Sequence, residues 1–285
     1  MMDQGEKDFK HQYLTLVFEG AGTLEWDGDE TVGNYGTTLY YSKNKGAWTA
    51  LTNNGLSVSA GDSVRLKCTI PDSVAPSNGI GSLTSTATHI ACGNIMSLLY
   101  GDDFVDKTIV GGAFTMLFSS SSGLRSAENL ILPASIAERC YIYMFTGCTN
   151  LETPPVLPAT EVAPSCYASM FYDCTSLATA PALLATTLAN SCYLQMFYDC
   201  TSLTTAPVLP ATALVRYCYE AMFYGCTSLN YIKAMFTTTP GTSYTKNWVK
   251  YVAASGTFVK NSAATWTTTG VNGVPSGWTV QTADT

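Results

Sequence analysis

The sequence predicts a mainly β protein with short helices, in which a small antiparallel β domain precedes a stack of repeated coils and a C-terminal cap. Three observations carry this. A 26-residue unit of the form C-Y-x-x-M-F-x-x-C-T-[SN]-L-x-T-x-P starts at Cys140, Cys166, Cys192 and Cys218, and a fixed period of this length marks a solenoid. Upstream, short apolar or β-branched runs alternate with Gly, Asn and Asp turns. At 285 residues and 46% hydrophobic, the chain is long enough for more than one folding unit.

The polar segment 1–10 reads as a tail without the apolar stretch of a secretory signal. Residues 11–93 read as an immunoglobulin-like β-sandwich. Its expected strands are Tyr13 to Phe18, Thr23 to Trp26, Thr38 to Ser42, Ala47 to Leu51 and Ser63 to Ile70. Turns at Asp27-Gly28, Asn44-Lys45-Gly46, Asn53-Asn54-Gly55 and Ala60-Gly61-Asp62 separate them. Cys68 and Cys92 are expected to stay unbridged.

Residues 94–139 read as an N-terminal cap. Ile95, Leu98 and Leu99 suggest one or two helical turns, and an irregular first repeat runs from Leu117-Phe118 to Leu132-Pro133-Ala134. The array follows over 140–236. In one unit the spacing L-x-x-A-x-V is expected to turn Leu203, Ala206 and Val208 inward and Thr204, Thr205 and Pro207 outward, while Tyr217 to Tyr224 forms a short helix. Residues 237–285 read as the C-terminal cap, with a helix from Ser243 to Ala254 and strands near Thr257 to Lys260 and Trp278 to Gln281.

The spacing of Leu203, Ala206, Val208, Pro210, Leu214, Met222-Phe223 and Gly225-Cys226 resembles the BspA-like leucine-rich repeats of bacterial surface proteins, over about 114–236. The sequence departs from that pattern where Cys-Tyr replaces Ile-Gly and where Pro155, Pro181 or Pro207 interrupts the strand, so thin, irregular strands are expected. The whole layout, including Gly270 to Val280, is also similar to proteins of gut Bacteroidales and their phages, which implies a habitat more than an activity.

Composition excludes several functions. The net charge of −7, with 14 Lys plus Arg and no basic run, argues against nucleic acid, and no run of about 18 apolar residues offers a membrane span. No G-x-S-x-G, phosphate-binding glycine loop or H-E-x-x-H is present. Eight cysteines sit at repeat-locked positions and read as buried, reduced ladders. There is no C-x-x-C pair, and His11 and His89 lie outside the array, so neither metal nor cofactor is expected. Asp173 and Asp199 recur at one position, and a turn-forming role is expected of them ahead of acid–base chemistry.

The candidate binding surface comes from where the copies disagree and where tyrosines recur. The second and third copies share 17 of 26 positions, yet between C-Y and M-F the pair changes from Ile142-Tyr143 to Ala168-Ser169, Leu194-Gln195 and Glu220-Ala221. Helical geometry would turn these outward. A second varying pair, Glu138-Arg139, Pro164-Ser165, Asn190-Ser191 and Arg216-Tyr217, precedes the cysteine. Tyr172, Tyr198 and Tyr224 form the row expected to be exposed, suited to sugar rings or a protein groove. The expected function is non-enzymatic recognition or adhesion, binding a glycan or protein on a cell surface, with a phage-tail or injection-particle component as the alternative. Homo-oligomers and an extracellular, cell-surface or virion location fit both.

Overall fold

The computed structural model describes residues 9–28, 38–51, 55–68 and 79–283. Twelve strands, one four-residue α-helix and a three-residue 3-10 helix at Phe9–His11 are present among them, so the protein is mainly β with almost no helix. The expected turn at Asn53-Asn54 and the end of the expected strand at Thr69-Ile70 lie outside the described residues.

Eight strands build the N-terminal part: β1 (Leu14–Phe18), β2 (Gly22–Asp27), β3 (Tyr40–Lys43), β4 (Thr49–Ala50), β5 (Leu56–Val58), β6 (Ser63–Lys67), β7 (Ser82–Thr84) and β8 (His89–Asn94). Alternation sets their faces. In β1 Leu14, Leu16 and Phe18 are buried while Thr15 and Val17 are less so, as the period of two demands. One sheet runs β4-β3-β6-β1-β8 and continues into β9 (Leu124–Ile131); a second runs β5-β2-β7. The sequence reading missed β5, β7 and β8. The first two are only three residues long, and β8 reads H-I-A-C-G-N, where buried residues on both faces erase the alternation. The helical turns expected after Asn94 are α1 (Ser97–Tyr100).

The junction between β8 and β9 is parallel, from His89 beside Leu124 to Asn94 beside Ile131. Thus the N-terminal sheet runs directly into the first strand of the repeats. Gly123 makes the close approach possible, because a Cβ there would sit 2.1 Å from the Ala87 carbonyl oxygen. Arg125 clamps the same joint, its Nε and Nη2 donating to the Glu19 carboxylate at 3.0 and 2.6 Å.

The repeats then stack one on another. On one side, a row of parallel bridges links Ser126 to Thr153, Thr179 to Thr205 and Thr205 to Tyr231. It ends in a three-stranded parallel sheet of β10 (Tyr231–Ala234), β11 (Thr257–Lys260) and β12 (Thr279–Thr282). The thinness expected from the strand prolines is present: in the middle copies the pairing reduces to single bridges. Proline also shifts the phase. Ala206 and Pro207 are both buried, so Leu209 points in and Val208 points out, reversing the expectation for Val208. The register records the slip: Thr205 pairs with Tyr231 at a separation of 26, and Leu209 pairs with Ala234 at 25.

The other side of each coil is not a helix. Every second amide bonds back three residues within its own coil, as Met196 N–H does to the Tyr193 carbonyl (3.3 Å). The alternate amides cross to the next coil, as Phe197 N–H does to Met222 (2.9 Å) and Asp199 N–H does to Tyr224 (2.7 Å). Such overlapping turns demand a left-handed residue every fourth position, and φ is +55°, +53° and +54° at Ser191, Gln195 and Asp199. The same geometry replaces the helix expected at Tyr217 to Tyr224, with Tyr217 and Ala221 left-handed. It also replaces the one expected at Ser243 to Ala254, where Asn247 and Tyr251 are left-handed and the preceding coil donates to the carbonyls of Tyr244, Lys246, Trp248 and Lys250. Tertiary bonding between coils wins over the helix because it satisfies the same backbone groups while burying the apolar side chains.

A left-handed non-glycine residue costs about 1–2 kcal/mol, against about 0.5–1 kcal/mol of extra chain entropy for glycine. Ser191→Gly is therefore expected to raise stability by about 0.5–1 kcal/mol in urea unfolding; a destabilised variant would contradict the turn geometry.

The interior is a set of ladders. Phe118, Phe145, Phe171, Phe197 and Phe223 stack at 5.5–5.8 Å with nearly parallel rings, and Tyr141, Tyr167, Tyr193 and Tyr219 do so at 5.6–5.9 Å. Each coil covers one face of a ring and leaves the other for its neighbour, so stacking removes the apolar surface that a lone coil would expose. All ten cysteines are buried and none is in a disulfide. The thiols of Cys148, Cys174, Cys200 and Cys226 donate to the carbonyls of Phe118, Phe145, Phe171 and Phe197 at 2.9–3.1 Å. Trp248 closes the bottom of the stack, fully buried against Tyr219, Phe223 and Phe236.

Candidate functional site

Repetition at one residue per coil turns each sequence position into a row with about 4.8 Å between members. Two long faces of the array carry such rows. The turn face holds the residues singled out from the sequence, and the strand face holds threonine, alanine, valine and proline.

On the turn face the expected surface strip is only partly exposed. Ala168 and Ser169 are 1% exposed and Ala221 is buried, while Leu194, Gln195 and Glu220 are half-buried. Stacking explains the difference. Ala168 lies in a row between Ile142 and Leu194, so its longer neighbours shield it, and Ser169 Oγ lies 3.4 Å from Gln195 Oε1 of the next coil. Without a helix, nothing turns the pair away from the core. The other varying position stays outside, with Glu138, Pro164, Asn190 and Arg216 all exposed.

Tyr172, Tyr198 and Tyr224 do line up, half-buried, with ring centroids 4.5 Å apart and planes within 9° of parallel. Tyr251 meets Tyr224 edge-on at 5.1 Å, and Lys250 Nζ sits 4.8 Å from the Tyr251 ring. The rings cover one another's faces, so what the row offers outward is a ladder of edges and hydroxyls. Burial, with a hydrogen bond to Tyr224 next, pushes the Tyr198 phenol up to about 12. A sugar ring seeking an open aromatic face finds none between Tyr172 and Tyr224.

Asp173 and Asp199 occupy left-handed turn positions matched by Gly147 and Gly225 in the flanking copies. That Gly/Asp alternation is the sequence signal for left-handed backbone that helical reading passed over. Burial, with the Asp173 charge second, raises the Asp199 carboxyl above the usual carboxylate range.

The strand face is more open. Val156 is 68% exposed, Val208 and Leu184 are each 47% exposed, and Ala182 is exposed at the position between Val156 and Val208. Beside this apolar row runs a hydroxyl row of Thr153, Thr179 and Thr205, continued by Tyr231, Thr257 and Thr279. From Thr175 to Asn190 and from Thr201 to Val215 the sequence has no charged residue. The signal missed in the sequence was the proline phase slip that turns Val156 and Val208 outward.

Among the described residues, two clefts lie away from both faces. One of about 300 Å³ is lined by Tyr40, Trp48, Lys67, Cys68, Gly101 and Asp102. The other, of about 380 Å³, lies between Lys10, Phe104, Ile131 and Ser135. Neither contains a candidate residue from the array. Among the described residues no three or more His, Cys, Asp or Glu side chains converge as metal ligands, and no helix is long and apolar enough to cross a membrane.

No family model, curated protein or solved structure matches this chain.

Proposed function

We propose that this chain is a non-enzymatic recognition or adhesion protein, a leucine-rich-repeat-like solenoid carried on an immunoglobulin-like β-sandwich, that binds a glycan or protein of a cell surface through the strand face of its array. The observation that carries this reading is the outward row of Val156, Ala182 and Val208, with exposed Leu184 two residues along from Ala182, beside a threonine ladder. Exposed apolar patches on a folded surface mark interaction sites, and a rigid scaffold lowers the entropic cost of binding. The covered faces of Tyr172, Tyr198 and Tyr224 move the proposed contact from the turn face to the strand face.

A second reading, a structural or receptor-binding part of a phage tail or injection particle, is favoured by the open sheet edge at β12, described below. Binding of the intact protein to glycan arrays and whole bacterial cells tests the first. Saturable binding is expected; its absence on every surface favours the structural reading.

A further inference from the structure

The array's C-terminal end carries a bare strand. β12 pairs with β11 on one side, Thr279 beside Thr257 through Thr282 beside Lys260, and among the described residues no strand pairs its other side. Thr279 N–H donates to the Gly256 carbonyl (2.9 Å) and Ala283 N–H to that of Lys260 (2.8 Å). Alternation therefore sends the N–H and C=O groups of Val280 and Thr282 outward, four backbone groups in all.

All four side chains of β12 are exposed. Natural edges are commonly guarded by lysine, proline or a bulge. Thr279-Val280-Gln281-Thr282 has none, and the nearest charge in the sequence is Asp284. Lys260, one strand in, is occupied with the Trp266 carbonyl at 3.0 Å. Tyr251, Val271 and Val280 are the exposed large apolar side chains of this end.

We infer that this edge docks antiparallel on the same edge of a second copy of the chain, about a two-fold axis through Gln281. In that register Val280 faces Thr282 of the partner subunit, and Thr282 faces Val280 of the partner subunit. All four outward groups on each side are then bonded, Gln281 meets its own copy, and no like charges oppose one another. A shift of one residue would set outward groups against inward ones, so the strand fits its own copy in this register. The contact is small, and a dissociation constant on the order of 10 µM is expected.

Sedimentation velocity of the full chain from 2 to 200 µM, with hydrogen exchange at both extremes, tests this. Expected are a monomer–dimer equilibrium and about fivefold slower exchange of the Val280 and Thr282 amides at high concentration, with Thr279 unchanged. Val280→Pro deletes an outward N–H while leaving the β11 bonds, and should stay monomeric; if it melts lower, Val280→Lys gives the same test by charge. A monomer at 200 µM, or a dimer that survives both substitutions, overturns the inference. So does protection of these amides by an added extended peptide but not by concentration, which would assign the edge to a foreign strand.

Discussion

Taking the protein from pH 8 to pH 10 in reducing buffer is expected to unfold the repeat array. Burial raises all eight repeat thiols, Cys218 to about 11, Cys140 to about 12 and the others in the same direction. In the unfolded chain the same thiols ionise near the ordinary value of about 8.5. Between these limits the folded state keeps protons that the unfolded state gives up. Stability is therefore complete below the unfolded pKa and falls as the pH rises through that window. Each thiol contributes a slope of about 1.4 kcal/mol per pH unit, so eight contribute about 11 kcal/mol per unit. Against a net stability of about 5–15 kcal/mol, the midpoint should fall at about pH 9–10. Buried Tyr141 and Tyr219, also raised by burial, steepen the loss above pH 10. Circular dichroism through an alkaline titration measures it, and replacing Cys174 and Cys200 with alanine should make the transition shallower. A native spectrum at pH 11 would show that the thiols are not buried as described.

Phe197→Ala lowers the unfolding free energy by about 3–5 kcal/mol. The ring is fully buried between Phe171 at 5.6 Å and Phe223 at 5.8 Å, so its removal leaves a cavity in the middle of a continuous stack. The neighbours are fixed by bonds to coils on both sides and cannot collapse into the space. Tyr198→Ala, one residue along, removes a half-buried ring and should cost about 1 kcal/mol or less. Chemical denaturation of the two variants beside the parent makes the comparison; equal effects would mean that Phe197 is not in the core.

Much of this arrangement was legible in the sequence because repetition makes each position report four times. The period of 26, the inward Leu203 and Leu229, and the buried rows at Cys192, Tyr193, Met196 and Phe197 are recurrences of apolar type, which stacking requires. What could not be read was the backbone between them. Cys-Tyr-x-x-Met-Phe carries apolar residues at i, i+1, i+4 and i+5, a pattern that a helix satisfies as well as overlapping turns do. The choice is made by amides such as Gln195 N–H, which bonds Glu220 in the next coil at 2.9 Å, a partner 25 residues distant. Burial of Ala168 and Ser169 follows from that choice and from larger neighbours in the same rows. Similarly, Val208 looked like core because it continues L-x-x-A-x-V, and only the extra residue absorbed at Pro207 turns it to solvent.

The most direct test of the proposed binding face sets two triple variants side by side on whatever surface the intact protein binds. In one, Val156, Leu184 and Val208 become aspartate; in the other, Tyr172, Tyr198 and Tyr224 become serine. Both sets lie on the surface of the array, so circular dichroism should report a folded protein in each case. The strand-face variant is expected to bind at least a hundredfold more weakly, and the tyrosine variant within about tenfold of the parent. Full binding by the aspartate variant, with loss in the serine variant, would return the site to the turn face and contradict the account.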